Sequence, residues 1–216
     1  MRKPTEPPLF DVLLGPDHAG KSSVVHALAE ADPSRCLVSA DGALLAPEHS
    51  LIRRLRRDLF TDVTTALGTA YSLDFMATVM QTAVVHLRDQ VLRAPRGRPV
   101  LVDSYYYKIL AKCRLAGLDD SPLYAWWRSF PQPRSVVYLD VSPRTAWLRS
   151  GEGAEANDWE YYGDRAGPEA FESYQSDLHH ALLQEIAHLP VNVVHEQDGV
   201  AQTVGAVRKA LHDDVN

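Results

Sequence analysis

Gly15 and Gly20 bracket four residues, and Lys21 and Ser22 follow directly. Glycines at that spacing let the backbone curl until successive N–H groups point at one anion. A helix starting near the lysine adds its own unpaired N–H groups at the same place. The lysine reaches outer phosphates, and the serine hydroxyl is an oxygen ligand for Mg²⁺. Gly15, Asp17, His18, Ala19, Gly20, Lys21, Ser22 and Ser23 thus form a candidate site for ATP or a close relative. His18 lies inside the loop, where it can contact a phosphate or the acceptor.

Asp103 ends the run Val100-Leu101-Val102. A carboxylate at the C-terminal end of a strand faces the ligand crevice of an open α/β sheet. There it can bind Mg²⁺ or accept the proton of an attacking hydroxyl, and it can also cap the helix that follows. Asp140 ends the next strand in a similar way, and capping or a structural hydrogen bond is its better reading. Asp41 lies just beyond the second strand, with two roles open: contact with the acceptor, or the cap of a turn.

Arg53, Arg54, Arg56 and Arg57 follow on a helical segment. Guanidinium forks suit an acceptor phosphate, but a helix turns ~100° per residue, so the four cannot share one face. Arg53 and Arg56 are the candidates, against a solvated helix face. Arg149 and Arg165 flank Gly151–Gly167, a Gly-, Glu- and Asp-rich segment that reads as a mobile lid. Arginines so placed can reach a transferring phosphoryl group. Lys21, Asp103, Arg149 and Arg165 form the candidate catalytic set. Tyr105 follows Asp103 closely enough to line an acceptor pocket, while the remaining aromatics read as packing.

The elements that must hold these groups alternate. Apolar runs at 9–14, 36–39, 100–103, 135–141 and 191–194 read as buried strands. Helical spacing covers 21–31, most of 50–93, 105–116, 123–130, 168–189 and 200–212. Ser142-Pro143 is a helix start, with serine as N-cap and proline at the first position. The pattern predicts one α/β domain over 1–216 with a parallel sheet of about five strands. The 216 residues, 45% hydrophobic and 23% charged, supply a core of ordinary size. A net charge of -6 argues against nucleic acid as the main partner. Two distant cysteines form neither a disulfide framework nor a metal pattern. Met1 to Pro8 is polar and Pro-rich, and no run of ~18 apolar residues occurs, so the reading is cytoplasmic with no membrane partner.

On these motifs the chain resembles the thymidylate kinase family. Gly15, Asp17, Gly20, Lys21 and Ser22 match the G-x-D-G-x-G-K-[ST] loop. Tyr138, Leu139, Asp140, Val141, Pro143 and Ala146 match Y-L-D-V-x-P-x-x-A, and Arg149 is a candidate for the arginine that follows. The resemblance implies a P-loop kinase three-layer sandwich, with a sheet in the order 2-3-1-4-5 between helices and a lid. It implies ATP with Mg²⁺ as donor, a small-molecule phosphoryl acceptor, and a homodimer as one assembly. The departures lie on the acceptor side. His18 stands at a loop glycine, and Ser104 replaces the arginine of Asp-Arg-Tyr. Met76 to Val85 contains no arginine to read thymine. The expected function is an ATP-dependent phosphotransferase acting on a nucleotide, nucleoside or specialised small molecule other than ordinary dTMP. The alternative is a non-catalytic nucleotide-binding regulator. A GTPase is disfavoured, because no Asn-Lys-x-Asp or Thr-Lys-x-Asp sequence occurs.

Overall fold

A computed structural model describes residues 8–212; most of the Pro-rich start read above lies outside them. The apolar runs form five strands: β1 (Phe10–Leu14), β2 (Cys36–Val38), β3 (Val100–Asp103), β4 (Ser135–Asp140) and β5 (Val191–His195). All pair in parallel, in the order β2-β3-β1-β4-β5. The expected α/β architecture and strand order are therefore those found.

Helices cover both faces. They are α1 (Lys21–Ala31), α2 (Ser50–Asp58), α3 (Leu73–Arg93), α4 (Tyr107–Leu115), α5 (Pro122–Arg128), α6 (Pro143–Arg149), α7 (Pro168–Ile186) and α8 (Val200–His212). Alternate strand residues point to opposite faces, and this sorts the core. Val12, Leu14, Val100, Val102, Val136 and Tyr138 join the larger layer, with Met76, Val84, Leu110 and Leu178 from α3, α4 and α7. Leu13, Leu101, Val137 and Leu139 join the smaller one, with Val24 and Leu28 of α1 and Val207 of α8. Leu14 thus packs on one helix layer and Leu13 on the other, which is why these strands read as unbroken apolar runs.

Two local features bear on the site. Between α2 and α3 the chain makes a π-helical turn, Leu59–Val63, and an irregular bend; the Ser72 hydroxyl then caps α3 by accepting the Phe75 N–H at 3.1 Å. After β3, Ser104 and Tyr105 both take positive φ, at 58° and 47°, in consecutive left-handed positions. That conformation is costly for side chains with a Cβ and tends to collect at functional sites. It delays α4 to Tyr107, two residues beyond the expected start. Tyr106 is the cap position of α4 and no side chain caps it, so the capping role open to Asp103 is not taken.

Candidate active site

β1 runs into the loop 15–20, and α1 begins at Lys21, so the loop N–H groups and the α1 N-terminus converge beside the strand ends. Gly15 is required by close approach: a Cβ there would lie 2.8 Å from the Leu139 carbonyl oxygen of β4. Gly20 has φ 88°, the left-handed region that favours glycine, as the cap of α1. His18 also has positive φ, 53°. The loop therefore demands a left-handed residue where the resembled family has glycine. Histidine is among the side chains that tolerate it. Its Nε2 lies 2.9 Å from Glu160 Oε2, which fixes the strained residue from the other side.

Asp17 is the hub beneath the loop. Its carboxylate takes Lys108 Nζ at 2.7 Å and Lys112 Nζ at 2.9 Å. Gln175 of α7 completes the shell: its Oε1 accepts the Asp17 N–H at 3.0 Å, and its Nε2 donates to Asp17 Oδ2 at 3.3 Å. Burial alone raises the Asp17 carboxyl, yet Lys108, Lys112 and Lys21 together hold it well below the usual carboxylate range. Lys21 is buried and donates to the Gly15 and Pro16 carbonyls at 2.9 and 2.6 Å. Burial first, and the Lys108 charge second, push its ammonium well below the usual lysine range. Asp17 raises Lys108 in turn, against burial. Lys108 and Lys112 thus hold two ammonium groups beside the loop, against the Asp17 carboxylate and, at 3.9 Å from Lys112, that of Glu160.

Asp103 sits across from the loop. Ser39 and Ser104 donate their hydroxyls to its two oxygens, each at 2.9 Å. Ser39 Oγ also accepts the Asp41 N–H, so the ends of β2 and β3 are tied together. Ser22 and Asp103 line the same cavity. Hydroxyl and carboxylate oxygens are the hard donors Mg²⁺ takes, with substrate phosphates and water completing its shell, so these residues fit the metal. No group of three or more His, Cys, Asp or Glu residues forms a metal cluster among the described residues.

The cavity encloses 1170 Å³ along the strand ends. It brings together Asp17, His18, Ala19, Gly20, Lys21, Ser22 and Ser23 of the loop with Asp41, Arg56, Asp103, Tyr105 and Arg149. Tyr105 is nearly fully buried, with its ring centroid 5.5 Å from that of Phe10 in an edge-on contact, and its hydroxyl has no hydrogen-bond partner among the described residues. Arg149 donates to the Ala19 carbonyl at 3.3 Å and pairs with Glu196 at 3.8 Å. Arg53 is turned to the Leu45 carbonyl and does not line the cavity. Arg165 is exposed and does not line it either. Asp140 pairs with His195 across β4 and β5 at 3.1 Å, in the structural role read for it. The segment 151–167 forms neither helix nor strand, yet Trp159 and Glu160 are buried, and Gln175 Nε2 donates to the Glu160 carbonyl.

Lys108, Lys112, Glu160 and Gln175 are the site residues that sequence reasoning missed. Lys108 and Lys112 stand four apart on α4 and therefore share a face. That face also carries buried neighbours, and two lysines on a buried stripe were the available signal.

No family model and no curated protein matches the sequence. Among solved structures, the chain is similar to deoxyadenosine kinase from M. mycoides with the products dCMP and a flexible dCDP bound. The TM-score is 0.60 at 13% identity, over 96% of this chain and 100% of that one. The chain has the P-loop kinase fold. At that identity the likeness concerns the fold, and the thymidylate-kinase resemblance rests on the motifs alone. No helix among the described residues is long and apolar enough to cross a membrane.

Proposed function

We propose that this chain is an ATP-dependent phosphotransferase that phosphorylates a small-molecule hydroxyl or phosphate acceptor other than ordinary dTMP. One observation carries the reading: a single cavity joins the phosphate loop and its three lysines to Asp103 and continues past it towards α2 and α3. A protein that only binds a nucleotide needs the loop; it does not need the extension of the cavity along α2 and α3. The solved deoxyadenosine kinase of similar fold supports the same reaction class.

In this reading the loop N–H groups and the α1 N-terminus bind the triphosphate. Lys21 leaves the Gly15 and Pro16 carbonyls for the outer phosphates. Lys108, held beside it by Asp17, adds a second cation as negative charge develops. Arg149, at the end of α6, lines the cavity beside the loop and supplies a guanidinium, and closure of the 151–167 segment over the donor is part of the proposal. Asp103, fixed by Ser39 and Ser104, orients the acceptor hydroxyl and accepts its proton. Mg²⁺, held by Ser22 and reached by Asp103 through water, would neutralise phosphate charge. Catalysis is then mostly positioning and electrostatics.

The test is ATP consumption with purified protein across nucleosides, nucleotides and hydroxylated metabolites, with Lys21→Ala as control. Consumption that depends on an added acceptor and disappears in the variant supports a kinase. ATP binding without consumption for every acceptor would replace this reading with the regulatory one.

A further inference from the structure

The two ends of the cavity differ in chemistry. At the β5 end, the segment leading into α8 lines it with Glu196, Gln197 and Asp198, and the first turn of α8 adds Thr203, groups able to hydrogen-bond a donor nucleotide. At the β2 and β3 end, α2, the π-helical turn and α3 line it with Leu55, Leu59, Phe60, Val79, Met80 and Ala83. Asp103 closes β3 and so belongs to this second end. The volume of 1170 Å³ exceeds the ~300–1,000 Å³ usual for one ligand, so there is room for donor and acceptor together.

The polar groups that line the second end besides Asp103 are few and mostly turned to the protein: Asp41 Oδ1 accepts the Ala43 N–H at 2.9 Å, Ser104 donates to Asp103, and the buried Tyr105 hydroxyl is left to meet a ligand. Arg56 lines this end, but its Nη1 donates to the Ala40 carbonyl at 3.0 Å. Thr82 lines it, and its hydroxyl donates to the Val79 carbonyl at 2.7 Å. A nucleobase set against such a wall keeps donors and acceptors unpaired, which a buried site penalises strongly. An acceptor phosphate needs a cationic fork, and the residue that follows Asp103 at the end of β3 is Ser104, which carries no charge. Lys108 and Lys112 are held at the loop by Asp17.

We propose that the acceptor is an uncharged alcohol or phenol with an aliphatic or aromatic body, which packs between α2 and α3 and presents its hydroxyl at Asp103. The inference rests on the phosphotransferase reading and narrows it. The acceptor oxygen forms the new bond to the γ-phosphorus of ATP. The bond from that phosphorus to the β–γ bridging oxygen breaks, ADP leaves with the electron pair, and the hydroxyl proton passes to the Asp103 carboxylate.

The experiment is an ADP-release assay with ATP and Mg²⁺ in two arms, run on the wild-type chain and on Phe60→Asn. One arm holds 3-phenyl-1-propanol, geraniol and 4-butylphenol; the other holds deoxyadenosine, deoxycytidine, thymidine and dTMP. Phe60 lines the cavity and is 36% exposed, so its replacement leaves the fold intact, checked by circular dichroism. Turnover in the first arm and not the second is expected. Phe60→Asn should raise the KM for the alcohol about tenfold, the scale of a small change in an apolar pocket, and leave the KM for ATP unchanged. Turnover of nucleosides or dTMP in preference to the alcohols overturns the acceptor class and keeps the phosphotransferase reading. No turnover in either arm overturns both. An alcohol KM unmoved by Phe60→Asn overturns the placement between α2 and α3.

Discussion

Lys108 Nζ lies 2.7 Å from Asp17 Oδ1 beneath the phosphate loop, with the carboxylate buried and the lysine side chain only 16% exposed. The pair joins α4 to the loop, and Lys112 and Gln175 extend the link to α7. Removing one partner of a buried pair strands the other charge. Asp17→Asn is expected to destabilise the fold by about 3–5 kcal/mol, read as a lower urea midpoint. Adding Lys108→Met should recover part of the loss, because it removes one stranded ammonium. Strict additivity of the two substitutions would show that the pair is uncoupled.

The same carboxylate gives an acid limb to the stability curve. Lys108, Lys112 and Lys21 depress it against the effect of burial. A carboxylate with a depressed folded pKa contributes stability that is fully present above its unfolded pKa, about 3.9. That stability is lost as pH falls towards the folded value. The Tm should therefore fall below about pH 4, and Asp17→Asn should flatten that fall. An acid limb of equal slope in the variant would assign the loss to other groups.

Lys21 predicts a proton effect on binding. Burial and the Lys108 charge lower its pKa in the free protein, and bound phosphates raise it again. Between the two values, ATP binding takes up a proton. Calorimetry at about pH 8–9, below the ordinary lysine value of about 10.4, in buffers of different ionisation enthalpy, should show net uptake in the wild type. Lys21→Met should remove it along with most of the affinity. Binding heats independent of the buffer would contradict the shift.

Gly15 tests the packing of the loop on β4. The added methyl of Gly15→Ala would meet the Leu139 carbonyl oxygen at 2.8 Å and the Leu139 side chain at 3.2 Å. Both are sheet atoms with little freedom to yield. The expected cost is about 1–3 kcal/mol, as for overpacking elsewhere, together with weaker nucleotide binding. Gly97→Ala, where nothing lies within 4 Å, is the comparison that isolates backbone strain at positive φ from the clash.

The two cysteines should separate by reactivity. Cys113 is fully buried, and burial pushes its thiol up to about 12. Cys36, on the edge strand β2, is only partly buried. Iodoacetamide on the native protein should label Cys36 first, with Cys113 reacting only after unfolding, as read by mass spectrometry. Equal labelling rates would mean that α4 opens readily.

Where a residue's role depends on its immediate chain neighbours, the sequence made it legible. The apolar runs that became β1, β3 and β4, the Ser142-Pro143 start of α6, and the glycine-lysine loop with α1 behind it are of this kind. Each is set by local periodicity, capping or backbone freedom. Lys112 and Glu160 were not legible, because 48 positions separate them and a buried charge announces itself only by what it meets across the fold. Arg53 and Arg56 were legible as a cluster, yet only Arg56 lines the cavity, because rotation about α2 sends its neighbour to the Leu45 carbonyl.

By itself, then, the sequence determined that this chain builds a parallel α/β sheet and ends its first strand in a phosphate-binding loop. Hydrophobic period, glycine spacing and helix starts are properties of neighbouring residues, and they leave few other outcomes. Only the tertiary structure decided what surrounds that loop. Asp17, read as one more phosphate-site residue, became the anchor of two lysines from α4. His18, read as a contact for ligand, lines the cavity and is also a strained residue held by Glu160. Ser104, read as a loss, became one of the two hydroxyls that fix Asp103. The physical reason is common to all three: a charge or a hydroxyl takes its role from the partner within hydrogen-bonding reach, and that partner arrives through the packing of distant helices on the sheet.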